Sequence, residues 1–170
     1  MQAEAANKYT SIPLFPADQY ETVSGYSKEN EELRQALANN SWRNSTDADF
    51  KKKAEIIDAH FKAMIIRVTD SKSPTYDGGL WEFNEHGLLS LSTDKEKHEC
   101  MSAFRMHTIN TEELSYAMSA MSANFLTWDE KLPNWEREFF TYLFHFSYCL
   151  MDEANSPEKF DTSVVYSILD

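Results

Sequence analysis

Residues 73–92, SPTYDGGLWEFNEHGLLSLS, hold Gly78, Gly79 and Gly87, three of the four glycines in the chain. Leu80 to Phe83 alternates, which puts Trp81 and Phe83 on one face of a strand and Glu82 on the other. Asn84–Gly87 reads as a four-residue turn in which Gly87 takes a positive φ. Leu88 to Leu91 returns as a second strand with Leu89 and Leu91 on one face. Gly78 and Gly79 let the chain enter this hairpin through angles other residues avoid, and they leave room for a backbone or a large ring to approach. The pattern predicts an antiparallel hairpin over about 79–92. A third strand is expected over about 103–108, where Phe104 and Met106 alternate with Arg105 and His107. The polar run STDKEKHEC between them is expected to be a loop.

Helices surround the hairpin. SKENEELRQALANN predicts a short one capped by Ser27, with Glu29, Glu31 and Glu32 at its positive end and Leu33 and Leu37 as a thin apolar stripe. In DADFKKKAEIIDAHFKAMIIRVTD, Phe50, Ala54, Ile57, Phe61, Met64 or Ile65, and Val68 recur at helical spacing, with Lys51, Lys52 and Lys53 on a solvated face. Asn110 with Glu113 three residues on predicts a capping box opening a helix whose seam is Leu114, Met118, Met121 and Phe125; Ser115, Ser119 and Ser122 allow close approach or face water. After Pro133, Trp135, Phe139, Leu143, Phe146 and Leu150 form one stripe, widened by Phe140, Phe144, Tyr148 and Met151, and this helix is expected at the centre of the core. SPEKFDTSVVYSILD predicts a last helix capped by Ser156 with Pro157 in its first position, although the Val164–Val165 pair leaves a terminal strand open. The fold class is α+β: a small antiparallel sheet packed against four to five helices. Residues 1–45 read as an irregular N-terminal arm, packed through Ile12, Leu14 and Phe15, plus the short helix; residues 46–170 read as the main domain.

The length of 170 residues suits one core, and 42% apolar residues exclude a disordered chain. The start MQAEAANKYT has neither basic region nor apolar run, so no signal peptide is expected. The most apolar window, FFTYLFHFSYCLM, falls short of the ~20 residues a membrane span needs. Two cysteines, Cys100 and Cys149, fit a reducing cytosol, with a single bridge between them left open. The formal charge is −12, and residues 77–170, with 17 acids and 6 bases, carry −11 of it. Such a field repels nucleic acid and attracts basic, DNA-handling proteins.

Sites of chemistry are sparse. The chain has no nucleophile elbow and no phosphate-binding glycine loop. His98, Cys100 and His107 lack the second ligand pair of a zinc site, so no metal and no cofactor is expected. His98 reads as a solvated loop histidine, His86 as exposed in the turn, and His60 and His145 as helical. Asp77, Glu82 and Glu85 form a negative rim around the hairpin without the marks of an acid pair. The reading is non-enzymatic.

Tyr76, Gly78, Gly79, Trp81, Phe83 and Gly87 give this stretch a Tyr-x-Gly-Gly-x-Trp-x-Phe pattern leading into a glycine turn. It resembles the ArdB/KlcA-type antirestriction family carried by plasmids, phages and genomic islands. The helix INTEELSYAMSAMSANFL, the aromatic helix REFFTYLFHFSYCLMDE and the closing VVYSILD follow in that family's order, so the likeness spans roughly residues 48–170. It departs at Asn84, where the family has Tyr, and at His86, Gly87 and Leu88, where it has paired glycines and an aromatic. The resemblance implies a cytoplasmic, non-catalytic protein of a mobile element that relieves type I restriction by contact with a host defence complex. The expected contact rim is Tyr76, Asp77, Trp81, Glu82, Glu85 and His86, with Gly78, Gly79 and Gly87 as structural turns. An acidic DNA mimic and an immunity protein for a cognate toxin stay open as alternatives.

Overall fold

A computed structural model describes residues 28–156 and 158–170. The expected arm over residues 1–26, the Ser27 cap and the placement of Pro157 lie outside the described residues. In chain order the elements are α1 (Lys28–Ala38), a 3-10 turn (Ser41–Asn44), α2 (Ala48–Lys72), β1 (Leu80–Phe83), β2 (Leu89–Ser92), β3 (Lys97–Met101), β4 (Met106–Asn110), α3 (Thr111–Thr127), α4 (Asn134–Ala154) and α5 (Thr162–Leu169). The class is α+β, with two separate two-stranded antiparallel sheets, β1–β2 and β3–β4.

The α-helices follow their sequence patterns with two exceptions: α5 starts at Thr162, later than expected, and Phe125 of the expected α3 seam is 52% exposed. Asp47 caps α2, its carboxylate accepting from the amides of Asp49 and Phe50. Ala54, Ile57, Phe61, Ile65 and Val68 then turn inward and are buried. At α3 the capping box closes in both directions: Asn110 Oδ1 accepts from Glu113 N–H at 2.8 Å, and Glu113 Oε1 accepts from Asn110 N–H at 2.9 Å. α4 buries Phe139, Phe140, Tyr142, Leu143, Phe146 and Leu150, but the central element is α3, which packs against α2, α4, α5 and strands β2, β3 and β4. Trp135 stays half-buried, with Lys53 Nζ 5.4 Å from its ring centre. The Phe61 ring sits between Phe83 of β1 at 6.2 Å and Phe140 of α4 at 5.7 Å, so three elements meet on it.

The β1–β2 register pairs Trp81 with Leu91 and Phe83 with Leu89, which places all four on the core side. Leu89 C=O and Leu91 N–H point away from β1, where a third strand would pair. Serines of α3 meet them instead: Ser119 Oγ donates to Leu89 O at 2.9 Å, and Leu91 N–H donates to Ser115 Oγ at 3.0 Å. Two hydroxyls thus satisfy an edge that would otherwise recruit a strand. This is why the sheet does not extend, contrary to the expected single three-stranded sheet. The serines of α3 are buried and do not face water.

The second sheet corrects the sequence reading further. STDKEKHEC is not wholly a loop: Lys97–Met101 is β3. Its partner is Met106–Asn110, not 103–108, and the inward residues are His98, Cys100, His107 and Ile109. Phe104 is 96% exposed at the turn, and Met106 faces outward. The free edge of β3 is closed in the same manner as β2: Ser73 Oγ donates to Glu99 O at 2.8 Å, and Glu99 N–H donates to Thr75 Oγ1 at 3.0 Å. At the C-terminal end Asp161, not Ser156, caps α5, accepting from Ser163 N–H at 3.1 Å. Ser156 instead bridges to Phe160, and Val164 and Val165 lie within the helix.

Gly87 has φ +81°, and a Cβ there would lie 3.1 Å from Arg34 Cγ and 3.2 Å from Arg34 O. Replacing it by alanine combines backbone strain with a tight contact that the Arg34 segment must yield to, and a loss of about 2 kcal/mol is expected in urea unfolding. Gly78→Ala, at φ +107° with no atom within 4 Å of the new Cβ, is expected to cost about half as much because only the strain applies.

Candidate functional site

The hairpin distributes the expected rim residues to two ends. At the entry, Trp81 is buried, and its Nε1–H donates to Tyr76 Oη at 3.0 Å, with the two rings 6.5 Å apart. A buried indole needs such an acceptor. Trp81 is therefore core, and the expected exposed Trp anchor is absent from this surface. Tyr76 is half-buried with it. Asp77 is exposed and pairs with Lys95 Nζ at 3.2 Å. Glu82 is exposed on the face opposite Trp81. Glu85 and His86 lie beyond β1, at the turn, so the six residues do not form one patch.

The turn end carries the concave feature. Asn84 Oδ1 accepts from the amides of His86 and Leu88 at 2.9 and 3.2 Å, an arrangement that fixes the loop. His86 O accepts from Arg34 Nη1 at 3.2 Å, tying the turn to α1. The His86 ring is less exposed than expected, at 22%, and its Nε2 lies 3.3 Å from Glu85 Oε1. Against this turn α3 presents Glu112 and Tyr116, one helical turn apart. Together they enclose a half-open pocket of about 420 Å³, floored by Leu88 and Leu89.

The pocket is electronegative. Burial, then the charges of Glu112, Glu85 and Glu153, push the Tyr116 hydroxyl up to about 12. A phenol so held stays protonated at neutral pH and keeps both a donor and an acceptor. Two carboxylates, Glu85 and Glu112, line the pocket beside the half-buried Tyr116, an arrangement suited to a cation with the phenol as a further contact. Glu85 and His86 were legible from the sequence. Glu112 and Tyr116 were not; their only sign is the spacing of four residues on the side of α3 away from the Leu114–Met118 seam.

The histidines and cysteines do not make a reactive centre. His98, Cys100 and His107 share the inner face of the β3–β4 ribbon, with Cys100 opposite His107. No group of three His, Cys, Asp or Glu among the described residues is placed to hold a metal ion. Burial pushes the Cys100 thiol up to about 11, so it is neutral, and Cys100 and Cys149 do not form a disulfide. His98 is buried, not solvated. Thr111 Oγ1 spends its proton on Lys95 O at 2.7 Å and so accepts from His98 Nε2–H at 3.0 Å. Nδ1 is left buried without a partner.

Burial, then the charge of Lys95, lowers the His98 pKa below its ordinary 6.5. Below 6.5 the unfolded chain binds this proton more readily than the folded one, so stability is lost as the pH is lowered through that window. His145, lowered by burial, acts in the same sense, whereas Glu136, raised by burial, acts oppositely above the carboxylate range. His98→Gln keeps a donor for Thr111 and is expected to lose less stability than the parent between about pH 7.5 and about pH 5 in urea titrations. Equal pH dependence of the two proteins would show that His98 is not the sensitive group.

No helix among the described residues is long and apolar enough to cross a membrane. No protein-family model matches the chain, and no curated protein matches it.

Proposed function

We propose that this protein is a non-enzymatic anti-defence inhibitor, encoded by a phage or plasmid and acting in the bacterial cytoplasm by protein–protein contact. The observation that supports this reading best is the carboxylate-rimmed pocket formed by Glu85, His86, Glu112 and Tyr116 at a braced turn. Proteins that handle DNA expose lysine and arginine, and this pocket has the charge and the aromatic wall to take one such side chain. The Tyr76–Gly87 pattern, through its likeness to the antirestriction family, names the target class: a host restriction complex, of type I in the first instance.

The test is phage plating in a host with an active type I system. Expression of the chain is expected to raise plating of unmodified phage. Glu85→Lys/Glu112→Lys changes two exposed carboxylates, so the fold is retained, and relief is expected to fall by about tenfold or more. Absence of any rise with the parent protein sinks the restriction reading. A rise that the double variant preserves leaves that reading standing and removes the pocket from it.

A further inference from the structure

Away from the turn pocket, α2 and α3 leave an apolar groove of about 220 Å³ between them. Met64 and Val68 of α2 and Met121 and Phe125 of α3 make its apolar lining. Phe125 is 52% exposed, and Trp128, one turn further along, is 73% exposed. Arg67 and Lys72 also line the groove, and no carboxylate does. Neither cation forms an ion pair with another described residue. In a chain of formal charge −12, this groove joins Met and Phe side chains to two cations that pair with no described acid.

We infer that this groove is a docking site for an acidic amphipathic helix of a partner protein. The lining residues Met64, Val68 and Lys72 follow one another along a single stripe of α2, over about 12 Å at 1.5 Å per residue. That length matches two turns of a helix laid in the groove, with apolar anchors at i and i+4 and carboxylates at its flank meeting Arg67 and Lys72. Unbranched methionines adapt to such anchors. Trp128, three residues beyond Phe125 and 73% exposed, is a further aromatic of the kind that dominates binding energy. A second copy fits less well: the exposed apolar tip at Phe104 is followed by Arg105, which would bring a third cation to Arg67 and Lys72. The inference does not depend on restriction being the target, because it concerns a different face from the turn pocket.

The test uses the whole chain labelled with [13C-methyl]methionine, with the Met64 and Met121 signals assigned by Met64→Leu and Met121→Leu. The probe is a synthetic amphipathic helix of about four turns, leucines on one face and glutamates on both flanks. Its twin with lysine flanks, and dodecanoate, are the controls. Saturable shifts of the Met64 and Met121 signals with the glutamate peptide, but not with the lysine twin, are expected. Arg67→Glu/Lys72→Glu and, separately, Phe125→Ser are each expected to weaken binding about tenfold, and because all three residues are surface groups the variants fold. Unmoved Met64 and Met121 signals, or equal binding of the lysine twin, overturn the inference. So does binding of dodecanoate without the peptide, which would assign an amphiphile, or shifts that follow protein concentration alone, which would assign a second copy.

Discussion

Arg34→Ala is expected to destabilise the domain by about 3 to 5 kcal/mol in denaturant unfolding. Arg34 is fully buried. Its Cζ lies 4.7 Å from the Phe146 ring centre and 5.6 Å from that of Tyr142, and these two rings stack nearly parallel. Its Nη1 donates to His86 O in the hairpin turn, and its Nη2 lies 3.5 Å from Glu31 Oε1. One side chain thus joins α1, the turn and α4. Alanine removes the volume, takes the Arg34 donor from the His86 carbonyl and removes the guanidinium beside Glu31. Arg34→Leu restores the volume but not the donors, and it is expected to recover less than half of the loss. A loss below about 1 kcal/mol for the alanine variant would mean that the guanidinium only fills space.

Phe61→Ala is expected to cost about as much, 3 to 5 kcal/mol, and for a different reason. The ring has no exposed surface and lies between Phe83 and Phe140, so its removal opens a void where α2, β1 and α4 meet. The three elements are held by one another and close such a void only in part. Phe104→Ala is the control with the same chemistry: that ring is 96% exposed, and its loss is expected to change stability by less than about 0.5 kcal/mol. Thermal or urea unfolding of the three proteins side by side measures both. A Phe61 variant as stable as the Phe104 variant would refute the central placement of that ring.

What the residues announced in advance was the part governed by period and local capping. Phe50 to Val68 repeats at helical spacing and is a helix; Asn110 and Glu113 stand three apart and close a box; Trp81 and Phe83 alternate and lie on one side of a strand. β3 escaped notice because its inward residues are His98 and Cys100, which do not read as apolar in a run of lysines and glutamates. They go inside because Thr111 accepts from the imidazole and the thiol is neutral. Alternation with Arg105 makes Phe104 read as a strand residue, whereas a tight turn held by the Ser102 hydroxyl keeps it outside. Trp81 appeared as a contact residue for want of a visible partner, and the partner is the hydroxyl of Tyr76, five residues away. The turn pocket needs Glu112 and Tyr116 to arrive from another helix, and no local spacing records that approach.

α3 is the helix against which α2, α4, α5 and strands β2, β3 and β4 all pack, so it joins both ribbons to the helical layer. Its partners lie on both sides of it in the chain, and the contacts that close the interior are therefore distant in sequence. Chain closure must precede those contacts, so folding is expected to be slower than in a bundle whose helices meet only their neighbours.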